Sequence, residues 1–269
     1  MQKIILITGS TDGIGLATAE TLISQGHHVL LHGRNPAKLE AAEKSLRVIS
    51  PDGEIESYVA DLSHMDEAEA LAKAVAERHD KLDVLINNAG IFHTPEVTTR
   101  DGLDVRLAVN TLAPWLLTQR LMPLLGPTAR VINLSSAAQS PVDPAALTGA
   151  VKISDDFTAY AQSKLAITMW SRHLALAPGN EGPAIIAVNP GSLLGSKMVK
   201  EGFGVEGGDL QIGADILTRA ALSDEFASAS GKYFDNDAKQ FAAPHSDALD
   251  SAKSAQIVGV IEMVLAKLT

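Results

Sequence analysis

Between Thr8 and Gly15 the chain reads TGSTDGIG, with the apolar run KIILIT leading into it and a helical apolar spacing (Ile14, Ala17, Leu22) leading out. A strand that stops in glycines and restarts as a helix admits few folds. Glycine permits the tight turn and a close backbone approach, and the helix start presents unpaired N–H donors with a favourable dipole. The rest of the chain repeats the alternation. Short apolar runs at 3–8, 28–32, 54–59, 82–86, 129–134, 184–188 and 232–234 read as strands. Helical patterns fill 14–25, 36–48, 65–78, 101–125, 157–177, 213–222 and 252–267. Asn35 is placed to cap the second helix with Pro36 at its first position, and Pro114 must kink the 101–125 helix or sit where no bond is needed.

The strands are continuous apolar runs rather than alternating ones, so helices cover both faces. The expected fold is α/β: a doubly wound parallel sheet of Rossmann type, about seven strands, in one domain spanning 1–269. Two segments exceed ordinary loop length, 137–156 and 191–212. Both are expected at the carboxyl ends of strands. The second, with its many glycines, reads either as a substrate lid with Leu193, Leu194, Met198, Val199 and Phe203 facing the ligand, or as a surface loop. The stretch 235–250 reads as a solvated loop.

Composition narrows the chemistry. Hydrophobic residues at 46% suffice for a sizeable core. The absence of cysteine excludes disulfides, thiolate metal sites and a cysteine nucleophile, and no metal is expected. A formal net charge of -10 argues against nucleic-acid or anionic-membrane partners. The start MQKIILITGS has too short an apolar run for a secretory core, and no stretch approaches the roughly 20 apolar residues of a membrane span. A cytoplasmic protein is the expectation.

The glycine turn (Gly9, Ser10, Thr11, Gly13, Ile14, Gly15) is the candidate pyrophosphate site, in the spacing G-x-x-x-G-x-G rather than G-x-G-x-x-G. After the second strand comes HGRNP, where an NAD site offers a carboxylate to the ribose. Gly33 instead leaves room and Arg34 can pair with a 2′-phosphate, which predicts NADP(H). A plain surface arginine is the alternative, and Asp12 inside the turn counts against a phosphate. Asp61, followed by Leu62, is placed either to bond the adenine amino group or to cap the next helix. Tyr160 and Lys164 stand one helical turn apart on one face. A phenol has an ordinary pKa of about 10, and an adjacent ammonium should lower it, making an acid/base for a carbonyl or alcohol oxygen.

TGSTDGIG, DL at 61–62, NNAG at 87–90, VN at 109–110, NLSS at 133–136, YAQSK at 160–164 and NPG at 189–191, in this order, resemble the short-chain dehydrogenase/reductase family in its single-domain form. RVINLSSAAQ, the extended loop, YAQSKLA and SGKYF resemble its retinol-dehydrogenase-like branch. The resemblance implies an oxidoreductase interconverting a carbonyl and an alcohol on a small, apolar substrate. It implies Tyr160 as acid/base and Lys164 as its tuner and a ribose ligand. Ser136 would bind the substrate oxygen, with Ser135 the fallback, and Asn110 would hold a relay water. Asn88, Ala89 and Gly90 would line the adenosine ribose and strand end. Pro190 and Gly191 would pass the nicotinamide, and Ser196 would contact its carboxamide. Ser136 and Tyr160 lie 24 positions apart, so they meet only if the 137–156 loop folds aside. The family commonly forms homodimers or homotetramers through the helices near 101–125 and 157–177, where Trp115, Leu116, Leu117, Met169 and Trp170 offer apolar contact or core. Two other readings stand beside this one: a non-catalytic NADP(H)-sensing protein, and the same chemistry with NAD.

Overall fold

A computed structural model describes residues 1–177 and 181–269, the side chain of Phe203 excepted, so the expectation for Phe203 lies outside the described residues. Strands β1 (Ile4–Ile7), β2 (His28–Gly33), β3 (Ile55–Val59), β4 (Val84–Asn87), β5 (Arg130–Leu134), β6 (Ala184–Asn189), β7 (Tyr233–Asp235) and β8 (Gln240–Ala242) form one sheet in the order β3-β2-β1-β4-β5-β6-β7-β8. All neighbours are parallel except β7 and β8. The helices are α1 (Gly13–Ser24), α2 (Pro36–Ile49), α3 (Met65–Ala76), α4 (Val105–Leu107), α5 (Ala113–Leu121), α6 (Pro144–Leu147), α7 (Asp156–Ala175), α8 (Lys197–Phe203), α9 (Leu210–Leu222), α10 (Ser246–Leu249) and α11 (Ser251–Leu265).

Strand residues alternate between two cores. Leu6, Leu30, Leu85, Val131 and Ile185 join the layer of α3, α5, α7 and α11. Ile5, Ile7, Val29, Leu31, Ile86, Ile132 and Ile186 join the layer of α1, α2 and α9. Both faces are dry, which is why the strands carry no polar alternation. Asn35 caps α2 as expected, its Oδ1 accepting the Lys38 N–H at 3.1 Å.

The eight strands agree with the expected sheet of about seven; the eighth, β8, corrects the expectation of a solvated 235–250 loop. Phe241 lies in this polar stretch, yet its ring packs on Phe226 and Phe234 at 5.2 and 5.1 Å and draws the segment onto the sheet. The loops also hold more structure than their composition suggests: α6 lies within 137–156 and α8 within 191–212. Pro114 sits just beyond a π-helical turn at Ala108–Leu112. Lacking an N–H, it cannot bond the Asn110 carbonyl four residues earlier, and the wider turn absorbs the mismatch. Trp115, Leu116, Leu117, Met169 and Trp170 are all buried within the single chain, the two indoles meeting edge to face at 5.5 Å. Of the two roles open to them, contact between subunits or core, they fill the second. Among the described residues no helix is long and apolar enough to cross a membrane.

Candidate active site

Strand order reverses between β1 and β4, and a cleft of about 330 Å³ opens there along the carboxyl ends of the strands. Of the expected residues, Gly9, Thr11, Gly13, Ile14, Gly15, Arg34, Asp61, Leu62, Asn88, Ala89, Gly90, Tyr160, Lys164, Pro190 and Ser196 line it.

Its floor is a glycine turn stitched to the next strand end. The Thr8 hydroxyl accepts the N–H groups of Asn88 and Ala89 at 3.0 Å each, and the Asn88 amide donates back to Thr8 O and Gly9 O at 2.9 and 3.0 Å. Gly9 has φ +66°, and a Cβ there would stand 2.8 Å from Ala89 Cα. Gly33 faces Thr11, whose methyl would meet a Cβ at 2.5 Å. Backbone and N-terminal helix donors thus line a groove that side chains would fill, and a dinucleotide fits it. Asp12 is the α1 cap, taking the Gly13 N–H at 2.8 Å.

Ser10 departs from expectation. It is fully buried, accepting the His32 N–H at 2.9 Å and donating to His32 O, so its side chain holds β2 to the turn and does not line the cleft. Gly191 also stays out of the lining, its N–H turned to Asn189 Oδ1 at 3.3 Å. His32, which sequence reading took only as a strand residue, does line the cleft. Its Nδ1 accepts the Gly9 N–H at 3.1 Å and its Nε2 meets Ala60 O at 3.0 Å. Burial pushes it down to about 4, so it works as a neutral ring. The only hint was a polar residue closing an apolar run. Asp61 does act locally at the turn before α3, its Oδ1 taking the Ser63 N–H and hydroxyl at 2.9 and 2.8 Å. Burial pushes the Asp61 carboxyl up, but Ser63, Arg34 and His64 together outweigh it and hold it below the usual range.

At the other end the catalytic candidates converge. The Ser136 hydroxyl is near enough to the Tyr160 phenol to pull its pKa down, and Lys164 Nζ lies 5.5 Å from the centre of that ring. Ser135 lines the cleft but is buried and bonded to Thr168 Oγ1 and Lys164 O, whereas Ser136 lies outside the cleft lining. Burial pushes the Tyr160 phenol up and Ser136 only partly offsets it. The expected lowering by Lys164 is therefore corrected. The lysine lies over the ring, spends a proton on Leu134 O at 2.8 Å and is itself driven down to about 8 by burial. The Asn110 side chain does not line the cleft. Its Oδ1 accepts the Ile91 N–H at 2.8 Å, and its amide donates to Ile91 O and Ser163 Oγ at 2.9 Å each. It fixes the segment after β4 from a buried position.

The 24-residue gap is closed by side chains the sequence did not advertise. Ser140 N–H and Asp143 N–H bond Ala161 O and the Gln162 side chain, laying the intervening loop along α7. The fully buried Arg106 bonds Asp104 and Asp156, and His93 bonds Asp156 at 2.6 Å. Phe92 meets Tyr160 edge-on at 5.3 Å, while Met198 of α8 reaches toward Gly90. Among the described residues no three His, Asp or Glu side chains group as metal ligands.

Residues 3–203 are matched by the short chain dehydrogenase family model, and the chain belongs to that family of oxidoreductases. Its sequence places it in the retinol-dehydrogenase-like branch. It is 31% identical to retinol dehydrogenase 13 of Homo sapiens over 96% of this chain and 85% of that protein. It is 32% identical to retinol dehydrogenase 12 of Homo sapiens over 91% and 81%. A solved structure of Pseudomonas aeruginosa RhlG in an active-site complex with NADP is similar at 25% identity and a TM-score of 0.69, over 87% of this chain and 94% of that one.

Proposed function

We propose that this chain is an NADP(H)-dependent oxidoreductase that interconverts a carbonyl and an alcohol on a small apolar substrate, with Tyr160 as acid/base. The observation that carries the reading is that Tyr160, with Ser136 next to its phenol, and Lys164 stand at the end of a cleft whose other end is the glycine cradle. When bound, the nicotinamide supplies hydride chemistry. The chain's own residues act on the substrate oxygen. Ser136 donates a hydrogen bond to it, and Tyr160 passes its proton to it in reduction or takes one in oxidation. The raised phenol keeps that proton at neutral pH. Lys164 stands beside the ring with its ammonium bonded to Leu134 O.

Two features support NADP(H). Gly33, at the end of β2, puts no carboxylate in the cleft, and the exposed Arg34 lines the cleft beside it. The ratio of turnover efficiencies with NADPH and NADH measures the preference. Ile91, Phe92 and Met198 offer apolar wall near Tyr160, and α8 is proposed as the moving part of the lid. The relatives named for retinol point the same way on substrate polarity.

The deciding experiment is Tyr160→Phe, assayed with NADPH on a panel of aldehydes and ketones. Loss of a general acid costs about 10²–10⁴-fold, so turnover should fall at least a hundredfold while NADPH still quenches the fluorescence of Trp115 and Trp170. Near-normal turnover would falsify the acid assignment.

A further inference from the structure

Ser136 lies two residues past the end of β5, at the start of a loop, where no ladder bond fixes it. A hydroxyl that must aim at a substrate oxygen needs its backbone held. The holding groups come from far along the chain. Tyr233, on β7, donates its hydroxyl to Ser136 O at 3.1 Å. Gln139 donates its amide to the same oxygen at 2.9 Å. The two donors account for both lone pairs of that carbonyl. The Gln139 amide is itself oriented, because its Oε1 accepts the His245 N–H at 3.1 Å, which leaves its NH₂ facing Ser136. The Ser136 hydroxyl oxygen accepts the Ala138 N–H at 3.1 Å, so its own proton is free to point at Tyr160 and the substrate.

We propose that Tyr233 and Gln139 are positioning residues that clamp the Ser136 carbonyl and thereby aim its hydroxyl, tying the C-terminal β7–β8 hairpin to the reaction. The proposal rests on the reading of Ser136 given above. Burial, with Asp235 and Asp237 next, pushes the Tyr233 phenol up, so it stays a donor throughout the working range.

The test is a double-mutant cycle on turnover with NADPH and a carbonyl substrate, comparing Tyr233→Phe in the wild-type and Ser136→Ala backgrounds. The phenylalanine keeps the ring and removes only the donor. Misplacing a reacting group by about an ångström costs up to about 10²-fold, and a partial loosening should lower kcat about tenfold with NADPH affinity unchanged. In the Ser136→Ala background the same substitution should lower kcat by less than about twofold, since coupled residues are not additive. An equal loss in both backgrounds overturns the clamp by showing a general structural effect, and no loss in the wild type overturns it as well. If Ser136→Ala is itself as active as wild type, the serine assignment falls and takes the clamp with it. If Ser136→Ala is slow but Tyr233→Phe is neutral, the clamp alone falls. Gln139→Met, run through the same cycle, carries the test should Tyr233→Phe not fold.

Discussion

A histidine inside an apolar strand has to keep both ring nitrogens bonded, and His32 does so by tying the phosphate turn to the end of β3. Its cost appears in acid. The ring is neutral when folded, with a value lowered from 6.5 to about 4, chiefly by burial. An unfolded chain takes a proton below 6.5, whereas the folded one resists until about 4. The contribution is therefore complete above the unfolded value and is lost as pH falls through this window. At about 1.4 kcal/mol per pKa unit it amounts to on the order of 3 kcal/mol. His32→Gln, neutral throughout, should be less stable than wild type at pH 7.5 yet lose less between pH 6.5 and 4. Urea midpoints measured across that range check it, and parallel curves would remove His32 from the acid limb. The glycines, Arg34, Tyr160 and Lys164 were legible in the sequence because their meaning lies in local spacing. His32, Gln139 and Tyr233 were not, because their partners sit 23, 106 and 97 positions away. The tuning of Tyr160 was misjudged for a related reason: spacing placed the ammonium beside the ring but said nothing of the burial both groups share.

Elements with a strong period were readable and those assembled by packing were not. Seven parallel strands announced themselves as apolar runs. Strand β8 and helix α8 are short, polar or glycine-rich, and depend on neighbours: Phe241 on two phenylalanines, and α8 on Phe92 and Gly90. Gly202 of α8 shows the dependence directly. A Cβ there would come within 2.4 Å of the Phe92 ring, the ring that stands edge-on to Tyr160. Glycine to alanine inside a helix ordinarily stabilises by about 0.5–1 kcal/mol. Here the methyl must push α8 or Phe92 aside, so Gly202→Ala should give no such gain in melting temperature. It should raise KM for the carbonyl substrate several-fold with NADPH affinity unchanged, because the displaced surface is the substrate wall and not the glycine cradle. Steady-state kinetics against substrate and coenzyme separate the two; an unaltered substrate KM would mean that α8 does not bear on the bound substrate.

At the scale of the molecule, the family match ends at residue 203, but the fold does not. Beyond it lie α9, β7, β8 and α11, which supply both core layers. Ile216, Leu217, Phe226 and Phe234 are buried on one face and Ile257, Val258, Ile261, Val264 and Leu265 on the other. At about 1.5–3 kcal/mol for each such side chain, their burial equals or exceeds the roughly 5–15 kcal/mol net stability of a typical domain. Removing them also strips β6 of its β7 partner, leaving a flat apolar edge open to aggregation. The nearly buried Arg130 would lose the Ala220 carbonyl to which it donates at 2.8 Å. A chain of residues 1–203 keeps the whole glycine cradle and Tyr160 with its lysine, so a self-sufficient nucleotide-binding core would still fold and bind NADPH. The packing argues otherwise: the shortened chain should show no cooperative thermal unfolding by circular dichroism and be digested by protease at rates NADPH does not slow. A cooperative transition, raised by NADPH, would show that the C-terminal quarter decorates the fold instead of completing it.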